Sequence, residues 1–229
     1  MPDDRPVLKV CGLTRVADMR GAEAAGADFC GFITQIERSP RCLSREQAVL
    51  LARGCRVRPV LVVESMAPEQ IRDLARATNA YAVQLHGADA EYMREVAEAL
   101  SRGPVPDWAA KIWRPIGLPE RAEDREALVQ ETLAEIEEAL DAGASAIVLD
   151  TRTAEGTGGS GRTCDWEAAA EIVRRADAPV LLAGGLSPEN LREALETTGA
   201  AGADLSSSLE AAPGRKSPTR LRALREAWR

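Results

Sequence analysis

Short aliphatic runs alternate along the chain with longer stretches whose apolar positions recur at helical spacing, the pattern of repeated strand–helix units around a parallel sheet. The first run, Val7–Cys11, has the composition of a buried strand and ends in Cys11-Gly12. Thr14 then stands where a helix N-cap would sit, and Val16–Ala25 carries alanines at helical spacing up to Gly26. Strands are predicted next at Asp28–Ile33, Pro59–Val63, Tyr81–Leu85, Trp108–Trp113, Ala146–Asp150, Pro179–Ala183 and Gly202–Leu205. Between them lie a helix capped by Ser44 with Glu46 and Gln47 in its first turn, one opened by Pro68, and one from Asp89 to Leu100. A long amphipathic region, Pro119–Ala142, ends at Gly143; further helices start near Asp165 and at Ser187-Pro188, and Ser217–Arg229 closes the chain. The pattern predicts the α/β class and one (β/α)8 barrel over residues 1–229, a length that suits this fold.

Composition narrows the partners. Net charge is -7 and the 29 basic residues are scattered, which argues against a nucleic-acid surface. No apolar run is long enough to span a membrane, and Asp3 and Asp4 precede no apolar leader, so a soluble, cytoplasmic protein is expected. The five cysteines show no metal-type pairing, which points to a reduced compartment and no structural zinc. Only three of the basic residues are lysines, Lys9, Lys111 and Lys216, so each invites its own question.

In a barrel the carboxyl ends of the strands converge on one face. The polar residues predicted there are Lys9 and Cys11 on strand 1, Arg41 in loop 2, His86 after strand 4 and Lys111 on strand 5. Asp150 ends strand 6, Gly184 and Gly185 end strand 7, and Asp204 with Ser206–Ser208 ends strand 8. Cys11 and Asp150, on strands 1 and 6, could face each other across the barrel mouth, which suits an acid on one side of a substrate and a base on the other. Gly184-Gly185 is either an ordinary tight turn or, with Ser206 and Ser207 beside it, the phosphate pocket common at strands 7 and 8. Arg41 could hold a carboxylate bidentately or be a surface charge, and His86 could be structural or catalytic. The loop Gly156–Gly161 lacks the lysine of a P-loop, which argues against nucleoside triphosphates.

These residues carry a resemblance. Lys9–Arg15, Ser39-Pro40-Arg41, Gln84–Gly87 and Asp150 with Gly158–Gly161 and Asp165-Trp166, in that order, resemble the phosphoribosylanthranilate isomerases of tryptophan biosynthesis. So do Leu182–Leu186, Pro188-Glu189-Asn190, Asp204–Glu210, Pro213-Gly214 and Lys216. The resemblance implies a TIM barrel of the ribulose-phosphate-binding type, a phosphosugar substrate, no cofactor, no metal, and a monomer or homodimer. It implies an Amadori rearrangement of N-(5-phosphoribosyl)anthranilate to 1-(2-carboxyphenylamino)-1-deoxyribulose 5-phosphate. Cys11 would be the general base and Asp150 the general acid. Lys9, Arg41, His86 and Asp204 would bind substrate, and Gly184, Gly185, Ser206 and Ser207 its phosphate.

Thr34, Cys42, Cys164 and Ser208 depart from the family pattern, as does the Val60–Ser65 segment, where an aromatic and an asparagine are usual. These departures are expected around the aromatic walls of the pocket and one phosphate turn, and bear on the aryl part of the substrate. Two other readings fit the residues: an isomerase of this fold acting on another phosphoribosyl-amine, and a non-catalytic sugar-phosphate-binding relative. Retention of both Cys11 and Asp150 weighs against the latter.

Overall fold

The computed structural model describes residues 5–102, 109–153, 156–157 and 163–229. Eight strands pair in parallel and the sheet closes on itself: β1 (Val7–Val10), β2 (Phe29–Ile33), β3 (Arg58–Glu64), β4 (Ala82–His86), β5 (Lys111–Pro119), β6 (Ala144–Thr153), β7 (Val180–Ala183) and β8 (Gly202–Leu205). Pairings β5 to β6 and β8 to β1 complete the ring, so no barrel edge is left unpaired along its length. Helices α1 (Val16–Ala25), α2 (Arg45–Gly54), α3 (Pro68–Thr78), α4 (Ala90–Ser101), α5 (Arg125–Asp141), α6 (Trp166–Arg175), α7 (Leu191–Thr198) and α8 (Pro218–Ala227) follow strands 1 to 8 in turn.

The helix starts follow local chemistry. Ser44 accepts from the Gln47 backbone while the Gln47 side chain accepts from the Ser44 N–H, a reciprocal capping box at α2. Asp89, Asp165 and Ser217 cap α4, α6 and α8 through their side chains. Gly26 ends α1 in the left-handed region at φ 98°, where a side chain would be strained.

Four local expectations are corrected. Thr14 does not cap α1; Arg15 holds that position without a side-chain bond, and the Thr14 hydroxyl donates to the Gly214 carbonyl. β5 begins at Lys111 and runs past Trp113 to Pro119, so α5 starts only at Arg125. Lys111 lies at the amino end of its strand, exposed, 5.0 Å from the Tyr81 ring centre, away from the face where chemistry was sought. α7 starts at Leu191 because residues 187–190 form a turn first, with Ser187 N–H donating to Asn190 Oδ1 at 2.8 Å.

Two packed layers result. Outward strand residues such as Leu8, Val10, Cys30, Phe32, Ile147 and Leu149 join the helix-facing core, while Val7, Phe29, Val60, Ala82, Trp113, Val148 and Leu181 fill the barrel interior. Phe29 meets Trp113 edge-on, with ring centres 4.9 Å apart, and plugs the amino end of the barrel. Polar chemistry is therefore confined to the other end. Among the described residues no helix is long and apolar enough to cross a membrane.

Candidate active site

Strand periodicity decides what enters the barrel. Since side chains alternate faces, Val7, Lys9 and Cys11 share one face of β1, and Val7 lies inside. Lys9 and Cys11 therefore point inward, above the aromatic plug. On β8 the same rule turns Asp204 inward, and the register pairs Lys9 with Asp204 across adjacent strands. The two form a buried ion pair in which Lys9 Nζ donates to Asp204 Oδ2. A buried lysine is costly unless partnered. Burial disfavours the Lys9 ammonium, but the Asp204 carboxylate and the neighbouring Cys11 more than offset it, holding its pKa above the ordinary lysine value.

Cys11 sits directly beyond this pair at the barrel mouth, 7% exposed and packed with Ile36 and Val62. Gly31 makes room for it: a Cβ there would lie 2.8 Å from the Cys11 sulfur. Burial pushes the Cys11 thiol up; Lys9 and Lys216 draw it down, while Asp204 adds to the rise.

Cys11 and Asp150 line one cleft of about 340 Å³, whose walls also include Arg41, His86, Asp204, Gly184, Gly185, Ser206 and Ser207. Nine of the ten residues to which the resemblance gives a role thus converge. The tenth, Lys9, is fully buried and is not among the lining residues. β6 is reached from β1 by way of β8 and β7, so the thiol and the carboxyl approach the cleft from separated strands. Burial, then the charge of Asp204, pushes the Asp150 pKa up to about 6, although Thr151 N–H donates to its Oδ1 at 2.8 Å.

His86 is drawn down to about 4, first by burial and then by Lys9, Arg114 and Arg38, so its ring is neutral at physiological pH. Its Nε2 lies 3.1 Å from the Gln84 side-chain amide, and Gln84 itself lines the cleft. A neutral imidazole there is a hydrogen-bonding wall rather than a charge.

At the opposite wall the turns after β7 and β8 come together. Gly184 and Gly185 adopt φ 76° and 63°, and a Cβ on Gly184 would collide with the backbone and side chain of Thr151. Asn190 Nδ2 donates to the Gly185 carbonyl at 3.1 Å, and Arg220 Nε donates to the Ser208 carbonyl at 2.9 Å while pairing with Glu189. Two adjoining turns rich in backbone N–H and hydroxyl groups form a concavity suited to a phosphate.

Arg41 reaches the cleft already engaged. Its Nε and Nη2 donate to the two oxygens of Glu210 at 2.8 and 2.7 Å, leaving the Nη1 end of the guanidinium for a ligand. Glu210 also accepts from Lys216 Nζ at 3.2 Å. Sequence reasoning assigned neither Glu210 nor Lys216 a role. The available signal was Lys216 as one of only three lysines, within a matching segment.

The expected pocket-wall departures are corrected. None of Thr34, Cys42, Cys164 and Ser208 is among the cleft-lining residues. Thr34 is buried and donates to the Leu43 carbonyl at 3.0 Å; Cys164 is buried with its thiol pushed up to about 12, first by burial and then by Asp150. Of the departing segments, only Val60–Ser65 reaches the cleft, through Val62. The loop 158–161 lies outside the described residues.

Against known proteins, the family model described as N-(5'phosphoribosyl)anthranilate (PRA) isomerase matches residues 8–227. The chain belongs to the N-(5'phosphoribosyl)anthranilate isomerase family. An N-(5'-phosphoribosyl)anthranilate isomerase of Methanopyrus kandleri is 38% identical over 92% of this chain and 93% of its own. That of Haloferax volcanii is 35% identical over 94% and 90%. Among solved structures, the phosphoribosyl anthranilate isomerase of Thermotoga maritima superposes with a TM-score of 0.77 at 30% identity, covering 96% of each chain. Another structure of a phosphoribosyl anthranilate isomerase, in complex with reduced 1-(o-carboxyphenylamino)-1-deoxyribulose 5-phosphate, superposes with a TM-score of 0.75 at 27% identity, covering 96% of this chain and 97% of its own. As a phosphoribosylanthranilate isomerase family member the chain is an isomerase of tryptophan biosynthesis built on a TIM barrel.

Proposed function

We propose that Cys11 and Asp150 are the base and acid with which this chain isomerises N-(5'-phosphoribosyl)anthranilate, held between the Gly184-Gly185 and Ser206-Ser207 turns and Arg41. The observation that carries this reading is the single cleft holding a thiol, a carboxyl of raised pKa and a phosphate-shaped pair of turns. The raised Asp150 pKa keeps a usable fraction of its carboxyl protonated near neutrality. Its proton goes to the furanose ring oxygen; the C1–O bond breaks and the anilino nitrogen lone pair forms the iminium. The Cys11 thiolate then takes the proton from C2, the C2–H electrons form the enolamine double bond, and tautomerisation delivers the ketone.

Lys9 supports this chemistry from beneath, as the cation beside Cys11 rather than as a direct substrate contact. Phosphate oxygens would be met by the N–H and hydroxyl groups of Gly184, Gly185, Ser206 and Ser207. The free Nη1 end of Arg41 would meet the aryl carboxylate, with Asp204 nearby. Neutral His86 and Gln84 complete the polar wall.

Turnover of freshly made phosphoribosylanthranilate, followed by loss of anthranilate-type fluorescence, tests the reading. Cys11→Ser and Asp150→Asn should each lower kcat by about 10² to 10⁴, the usual contribution of one acid–base group. Either variant running at the wild-type rate would refute its assigned role. A well-folded protein that binds a product analogue yet turns over no substrate would identify a binding protein instead.

A further inference from the structure

Lys216 has no part in the chemistry just described, yet its side chain is fully buried beside the cleft. Burial of an ammonium is expensive, and nothing in the barrel core requires a charge at this place. Its Nζ makes two hydrogen bonds. One goes to Glu210 Oε1 at 3.2 Å and one to the Ser206 carbonyl at 3.0 Å.

The second bond, with the Leu209 N–H donating to the same carbonyl at 3.1 Å, orients the phosphate turn. In a trans peptide the carbonyl and the following N–H point in opposite directions. With the Ser206 carbonyl drawn toward buried Lys216, the Ser207 N–H points away from it, and Ser207 lines the cleft. The Ser206 hydroxyl meanwhile donates to the Cys11 carbonyl at 3.2 Å, tying the same turn to the end of β1.

The first bond concerns charge. Three cations surround Cys11: Lys9 from β1, Arg41 from the loop after β2, and Lys216 from the segment after β8. Two carboxylates answer them. Asp204 on β8 pairs with Lys9, and Glu210 takes Arg41 with both oxygens while sharing one of them with Lys216. Asp18 on α1 accepts the Lys216 backbone N–H at 3.0 Å and stands 3.7 Å from Arg15, its own counter-charge. Asp150 on β6 lines the same cleft and adds a third carboxylate above about pH 6, while His86 on β4 stays neutral. Lys216 shares Glu210 with Arg41, which takes both of its oxygens, so Lys216 is the cation least engaged by a carboxylate.

We infer that Lys216 is a positioning residue that couples the phosphate turn to the base: its buried ammonium holds the Ser206 carbonyl so that the Ser207 N–H faces the cleft, and from that place it favours ionisation of Cys11, to whose carbonyl the same turn is tied. The inference rests on Cys11 as the base for its catalytic meaning, but the Lys216 contacts are a property of the free protein. Burial lowers the Lys216 pKa, while Glu210 and Cys11 favour its charged form.

The test uses the unliganded full chain. The rate of Cys11 alkylation by chloroacetamide is followed against pH by mass spectrometry of the Cys11 peptide, which reads thiolate directly. Lys216→Gln removes the charge and keeps a donor; Lys216→Met removes both. Both should raise the pH midpoint by about one unit, the smaller end of the effect of a nearby charge. Glu210→Gln removes one of the carboxylates that offset the three cations and should lower the midpoint. Opposite signs from two destabilising changes cannot arise from loss of structure, so the pair remains decisive where one variant is weakened. Competitive inhibition by inorganic phosphate should weaken at least tenfold in Lys216→Met and by much less in Lys216→Gln. A midpoint unchanged in Lys216→Gln, or shifted the same way in Glu210→Gln, overturns the inference. Full turnover by Cys11→Ser would instead overturn the base assignment, leaving these midpoints as they stand.

Discussion

Replacing Lys9 with methionine separates the structural cost of the buried pair from its chemical use. The ammonium is wholly inaccessible and the Asp204 side chain is 7% exposed. Asp204 Oδ1 has no hydrogen-bond partner, and Lys9 is the donor to Oδ2. Lys9→Met therefore strands a carboxylate in the barrel interior, for which removal of one partner typically costs about 3–5 kcal/mol. Against a total stability of roughly 5–15 kcal/mol, that is a fifth or more of the fold's stability. With a urea slope near 3 kcal/mol per molar, the unfolding midpoint should fall by about 1–1.7 M. The second substitution Asp204→Asn removes the stranded charge, so Lys9→Met/Asp204→Asn should regain about half of the loss. Activity should not return with it, because Cys11 has lost the cation that most favours its thiolate. The Lys9 pKa stands above its unfolded value, so the pair's contribution is complete below the unfolded lysine pKa and is lost as pH rises through the folded one; measurements at pH 7–8 lie inside that window. The reasoning fails if Lys9→Met costs under about 1 kcal/mol, or if the double variant is less stable than the single one.

Two further outcomes follow from the same geometry. With Asp150 at about 6 and the Cys11 thiol above its ordinary value, kcat/KM should be level between the two and fall on either side; the acidic fall should be altered in Asp150→Asn measured on the same substrate. An acidic limb identical in the two proteins would show that Asp150 does not set it. Gly184→Ala places a Cβ against Thr151 at a left-handed residue, and strain plus overpacking should cost about 2–4 kcal/mol in chemical denaturation. A variant as stable as the parent would mean that the β6–β7 contact yields easily.

Local signals carried far in this chain. Aliphatic runs at regular intervals set all eight strands, because a strand buried on both faces has little freedom in composition. Capping residues set helix starts at Ser44, Asp89, Asp165 and Ser217, since a cap bonds residues two or three positions away. Strand-end position together with period-two alternation sufficed to bring Cys11, Asp150, Asp204 and the turns after β7 and β8 to one mouth. The length of β5 was less legible. The strand expected to end at Trp113 runs on through Pro115 to Pro119: β5 pairs with β4 only through Trp113, so Pro115 faces no β4 partner while β6 pairs it on the other side. Thr14 looked like a cap but meets Gly214, which lies 200 residues away.

What the sequence determined by itself was the alternation of strands and helices, the residues at each strand's carboxyl end and hence the membership of the cleft. What only closure of the barrel decided was the pairing among those members. Lys9 meets Asp204 through the β1–β8 register across 195 residues, and Arg41 meets Glu210 across 169. Periodicity orients a side chain but carries no information about the opposite strand. Whether a buried charge has a partner, and so whether a thiol beside it can ionise, is set by that long-range pairing.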